Sequence, residues 1–97
     1  MNVLITAATS AEAHRLKNQL AGDTVILGDY QEMPAFMQIV KLPKPASLSY
    51  AHEMLTLCLD KEIEVVYALG DEEYSNLRIA GQLFTEFGIE LKDIKNK

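Results

Sequence analysis

Cysteine is nearly missing from this sequence, which holds one, Cys58. A lone thiol forms no intramolecular disulfide and no cysteine metal cluster. Cys58 lies in the apolar run Met54-Leu55-Thr56-Leu57-Cys58-Leu59, where a buried, inert thiol is expected. Long hydrophobic runs are missing too, since none approaches the ~18–20 apolar residues of a membrane span. The opening Met1-Asn2-Val3-Leu4-Ile5-Thr6 lacks the basic start and long apolar stretch of a signal peptide. A cytoplasmic location is the expectation. Basic clusters are also lacking: nine Lys/Arg stand against fourteen Asp/Glu, for a net charge of −5. Phosphate neutralisation dominates nucleic-acid affinity, so neither nucleic acid nor an anionic membrane is an expected partner.

What remains is one small domain. The chain has 97 residues, 48% of them hydrophobic and 24% charged. A domain of this size buries roughly 60–65% of its unfolded surface, enough for one modest core. It leaves no room for a second, catalytic domain. Any chemistry must use a half-size site, a second copy or another chain.

Val3-Leu4-Ile5 has no polar alternation, as in a strand covered on both faces of a parallel sheet. A turn of small residues follows, and Thr9 or Ser10 caps a helix over 11–20 with Glu12 in its first turn. Ala13, Leu16 and Leu20 make its inward stripe, and Gly22 stops it. Thr24-Val25-Ile26-Leu27 reads as a second strand, with Gly28-Asp29 at its exit. Residues 30–37 are a loop or a short helix interrupted at Pro34. Gln38-Ile39-Val40-Lys41-Leu42 reads as a third strand, closed by Pro43 and Pro45. Ser47 or Ser49 then starts a helix whose inward positions are Ala51, Met54, Leu55 and Cys58. The strongest strand signal covers 63–69. Asp71 is expected to cap one long helix with Leu77, Ala80, Gly81, Phe84 and Phe87 inward, stopped by Gly88. Ile89-Glu90-Leu91 offers a short fifth strand, and otherwise residues 90–97 read as a frayed tail.

Strands alternating with helices imply a parallel sheet. The expected fold is α/β: a three-layer, Rossmann-like sandwich with about four strands in the order 3-2-1-4, as a single domain over 1–97. Ligands in such sheets bind beyond the strand C-termini where the order reverses. Here that crevice is framed by residues 6–10 and 69–73.

The candidate ligand-binding residues are Thr9, Ser10, Asp29, Asp71, Glu72 and Glu73. Thr6-Ala7-Ala8-Thr9-Ser10-Ala11 stands where a dinucleotide fingerprint would be, but it has no glycine to let a pyrophosphate approach. Its hydroxyls and helix N–H groups leave an anion site open. Asp29 ends the second strand, where a ribose-binding acid stands in such folds, and Gly28-Asp29 is equally good turn chemistry. Asp71-Glu72-Glu73 sets three carboxylates at the crevice, as a ligand contact, a docking point or acids matched to the helix dipole. His14 and His52 have no metal-spaced partner and read as rim residues, so no metal and no catalytic set is assigned. Tyr30, Met33, Phe36 and Met37 form an apolar segment suited to the core, a groove or a second subunit.

Three segments carry a family resemblance. They are Tyr50-Ala51-His52-Glu53-Met54-Leu55-Thr56-Leu57-Cys58-Leu59, then Lys61-Glu62-Ile63-Glu64-Val65-Val66-Tyr67-Ala68-Leu69-Gly70-Asp71-Glu72-Glu73, and the closing Leu83-Phe84-Thr85-Glu86-Phe87-Gly88-Ile89. With the opening Asn2-Val3-Leu4-Ile5-Thr6 they resemble the N-terminal pre-ATP-grasp domain of ATP-grasp ligases, especially the carbamoyl-phosphate synthase large-chain-like group. In that family the first turn commonly contains glycines, and the chain continues into the domain that carries ATP, magnesium and the catalytic residues. The resemblance therefore implies a fold and not ligase activity, and no cofactor is expected, with a nucleotide kept as an alternative. It implies a non-catalytic binding or interaction module, expected as a homodimer. The rival readings are the substrate-binding half of a split ligase beside a separate ATP-grasp chain, and a reduced NAD(P)-binding domain.

Overall fold

The computed structural model describes residues 2–8, 10–20, 22–31, 39–44 and 46–92. Its elements run β1 (Asn2–Ile5), α1 (Ala11–Gln19), β2 (Thr24–Asp29), β3 (Val40–Lys41), α2 (Tyr50–Asp60), β4 (Val65–Tyr67), α3 (Asp71–Ile79), α4 (Gly81–Glu86) and β5 (Glu90–Lys92). The five strands form an all-parallel sheet in the order β3-β2-β1-β4-β5. The expected order 3-2-1-4 stands, extended by β5. Residues 90–92 are thus strand rather than tail, paired to β4 through Val65↔Glu90, Val66↔Leu91 and Tyr67↔Lys92. Residues 93–97 of the expected tail lie outside the described residues.

Side-chain alternation along β1 sorts the core into two layers. Val3 and Ile5 pack with Ala13 and Leu16 of α1 and with Val65 and Leu69. Leu4 points the other way, with Val66, toward Met54 and Cys58 of α2, Leu77 of α3 and Phe84 of α4. Helices therefore cover both faces, and Val3-Leu4-Ile5 and Val65-Val66 of the central strands are apolar and buried on both faces. No helix of the described residues is long and apolar enough to cross a membrane.

Two helix stops aim the strands that follow. After α2, Glu62 takes the left-handed conformation (φ 55°). Its N–H reaches Leu59 O at 3.3 Å, and the Ile63 N–H reaches Cys58 O at 2.8 Å. After α4, Gly88 does the same at φ 76°, with Gly88 N to Thr85 O at 3.0 Å and Ile89 N to Phe84 O at 2.9 Å. Both are Schellman motifs, and each plants a buried isoleucine, Ile63 or Ile89, under the sheet.

Several local expectations are corrected. The long helix after Gly70 is two helices, broken at Ala80, which is the C-cap of α3 and the N-cap of α4. Phe87 is the C-cap of α4 and is 52% exposed instead of buried. Gly70 is the N-cap of α3, and Asp71 is its first helical residue rather than the cap. On α2 the buried residue of the first turn is Tyr50, while Ala51 is only half-buried. β2 includes Gly28 and Asp29, which pair with Val40 and Lys41. β3 is shorter than expected, and Gln38 lies outside the described residues.

Candidate functional site

The chain leaves β1 toward β2 on one side and reaches β4 on the other, so the order reverses at β1. The loop after β1 is stitched to both neighbours at their C-terminal ends. Thr6 N donates to Tyr67 O at 3.0 Å, and Ala8 N donates to Gly28 O at 3.1 Å. Ala7 sits between them at φ 51°, a left-handed conformation that costs a non-glycine residue about 1 kcal/mol. The Ser10 N–H closes the turn onto Ala7 O at 2.9 Å.

Among the described residues, Thr6, Asp29 and Glu73 are the buried polar or charged residues, at 0%, 4% and 3% exposure. All three lie at this edge. Thr6 Oγ1 accepts from the Leu69 N–H at 2.9 Å, which ties the end of β1 to the exit of β4. Asp29 Oδ1 accepts from the Gln31 N–H at 2.9 Å, an Asx turn. Glu73 is the third residue of α3 and reaches back toward the N-cap. A Cβ built on Gly70 would stand 2.6 Å from Glu73 Oε1, so glycine is what admits the carboxyl group there. This is half of a capping box, without the reciprocal hydroxyl that serine or threonine would bring.

Burial is the largest influence on Glu73 and pushes its pKa up, with Asp29 and Glu72 acting in the same direction. The Thr6 hydroxyl and the Gly70 N–H favour the charged form and oppose that rise. Tyr50, at the start of α2, is 2% exposed. Its hydroxyl is pushed well above the usual phenol range by burial first, then by the nearby charge of Glu73. Glu73 Oε2 and the Tyr50 hydroxyl are buried without hydrogen-bond partners among the described residues. One is an acceptor and the other a potential donor, and both belong to the same cluster.

The expected site residues thus divide. Asp29 and Glu73 are brought together. Glu72 is exposed in the first turn of α3, but its charge reaches both Glu73 and Tyr50. Asp71 opens α3. Ser10 is the N-cap of α1, and its Oγ accepts from the Ala13 N–H at 3.2 Å. Thr9, Met33, Phe36 and Met37 lie outside the described residues, and Tyr30 is 38% exposed. His14 and His52 are exposed, and Cys58 is buried with its thiol pushed up to about 12 by burial.

Thr6 and Tyr50 were not among the expected site residues, yet a signal for each exists. Thr6 shares the parity of Leu4 on β1, and Tyr50 stands one turn before Met54. The same rule picks Glu73 out of three adjacent acids, because it stands one turn before the buried Leu77.

Among the described residues no group of three or more His, Cys, Asp or Glu is placed to hold a metal ion. The cluster instead presents carboxyl groups and the hydroxyls of Thr6 and Tyr50. Two close, buried carboxyl groups disfavour a phosphate and favour a group that donates hydrogen bonds. No protein-family model and no curated protein matches the chain.

Proposed function

We propose that the chain is a Rossmann-like, pre-ATP-grasp-type binding module that takes a small hydrogen-bond-donating ligand at the crevice between β1 and β4. The observation that carries this reading is the gathering of Thr6, Asp29 and Glu73 at one edge of the sheet, with unpartnered atoms on Glu73 and Tyr50. Unpartnered buried polar atoms cost about 1–3 kcal/mol each, so a fold retains them where they meet something. The glycine-free turn at Ala7 and Ala8 and the paired acids argue against a dinucleotide there. The module acts as a homodimer in this reading, supported by the exposed Ile79 and Phe87 that flank α4 in the sequence. Light scattering should then give about twice 10.8 kDa.

An amide-resolved NMR titration tests the site. The panel contains simple amines, polyols, small carboxylates, ATP–magnesium, NAD and NADP. An amine or polyol should shift the amides of residues 6–8, 28–29 and 69–73 saturably. Shifts by ATP or NAD at those positions, or no shift there with any compound, overturn the reading.

A further inference from the structure

A second concavity lies away from the crevice, between β3 with its exit and the outer face of α2. It is an open groove of about 790 Å³. That is within the range of roughly 300–1,000 Å³ typical of small-molecule sites. Its floor is apolar, made by the buried Leu42 and the half-buried Pro43 and Leu57. Its rim carries Lys41, Lys44 and Lys61, with His52 beside them.

Glu53 and Asp60 share the rim. The hydroxyls of Ser49 and Ser47 already donate to Glu53 Oε2 at 2.7 and 2.9 Å and hold its pKa below the ordinary carboxylate range. Among the described residues none of the three lysines lies within 4.0 Å of a carboxylate; the ion pair found there joins Lys92 to Glu90. The groove is therefore lined by three lysines unpaired among the described residues, against the two carboxylates of Glu53 and Asp60, on a chain whose net charge is −5. Acidic proteins expose lysines everywhere, but here three line one groove with an apolar floor.

The edge strand beside the groove offers an extended peptide little backbone to pair with. β3 has two residues, and Pro43 after it has no N–H, so no ladder is on offer. Leu42 N already donates to Asp29 O at 2.9 Å. We propose that this groove binds a small amphipathic anion, with its phosphate or carboxylate held among Lys41, Lys44 and Lys61 and its apolar body on Leu42 and Leu57. The site is independent of the crevice, and neither reading needs the other.

The probes are phenyl phosphate, inorganic phosphate and phenol, titrated into the intact chain by amide-resolved NMR. Phenyl phosphate should shift residues 41, 42, 44 and 52–61 saturably, more tightly than either fragment, and more weakly as salt rises. The double variant Lys41→Gln/Lys61→Gln should weaken it about tenfold, as the loss of two charge contacts predicts. Arg15→Gln/Lys17→Gln, on the other face of the sheet, should leave it unchanged. The same spectra show that each variant is folded. Equal affinity for inorganic phosphate removes the apolar floor and overturns the assignment. Equal affinity for phenol removes the lysines and does the same. Absence of saturable binding, or equal loss in the α1 variant, overturns the site itself.

Discussion

Glu73→Gln removes one titrating proton from the buried cluster and leaves the shape of the side chain nearly unchanged. In the folded chain, burial raises the pKa of Glu73 above the ordinary carboxylate value, helped by Asp29 and Glu72. Below the unfolded value of about 4.3 the group is protonated in both states, and the stability contribution of its neutral form is fully present. As pH rises further, the unfolded chain releases its proton while the folded chain keeps it. The folded state then binds more protons, so stability falls by up to about 1.4 kcal/mol per pH unit until the folded pKa is passed. At this size about 1 kcal/mol corresponds to roughly 4–8 °C in Tm. The substituted amide does not titrate, so the variant lacks this slope. The assay is a series of thermal melts of both proteins at closely spaced pH from acid to neutral, at constant ionic strength. The difference in Tm should move in favour of the variant as pH rises, and then level off. Ionisable groups remote from the cluster cancel in that difference, and any fixed cost of the buried amide only offsets it. A difference that stays constant across the series refutes a raised pKa at Glu73.

Two glycines should fail for different reasons. Gly28→Ala sets a Cβ 2.8 Å from Cγ and Cδ2 of the buried Leu42, and overpacking of that kind costs about 1–3 kcal/mol, read by urea denaturation. Pairing it with Leu42→Val should recover part of that loss. Gly88→Ala meets no neighbouring atom within 4 Å but forces alanine to φ 76°, so its cost of about 1 kcal/mol is independent of any neighbour. Tyr50→Phe removes an unpartnered buried hydroxyl and keeps the ring, so it should leave stability unchanged or raise it by up to about 1 kcal/mol. A large loss would show that the hydroxyl has a partner within the chain.

The sheet was legible because each central strand is built on a short, uninterrupted run of apolar residues. Val3-Leu4-Ile5 and Val65-Val66-Tyr67 pair as their composition implies. The break at Ala80 was not legible, because Leu77, Ala80, Gly81 and Phe84 keep helical spacing straight through it. Spacing reports which side chains face the core and not whether each backbone bond is made. In the site, the acids were visible but their burial was not. Asp71, Glu72 and Glu73 are equivalent as composition, and what separates them is the Gly70 N-cap and the packing of Leu77 beneath. Tyr50 meets the cluster through contacts between α2 and α3, which no local pattern records.

The central position of β1 bears on how the chain is made. Its Val3 pairs with Val25 on one side and with Val65 on the other. During synthesis the first pairing becomes available early, but the second waits for about forty further residues to leave the ribosome, a long-range closure of the kind that slows folding. Until then β1 has one hydrogen-bonding edge open, Leu4 lacks the Val66, Leu77 and Phe84 packing that later buries it, and Ile5 lacks Val65 and Leu69. A nascent chain ending near residue 60 therefore offers an apolar strand edge, the feature that other chains and chaperones recognise. Maturation of this small domain is in that sense governed by its last third, although its innermost strand is the first to be translated.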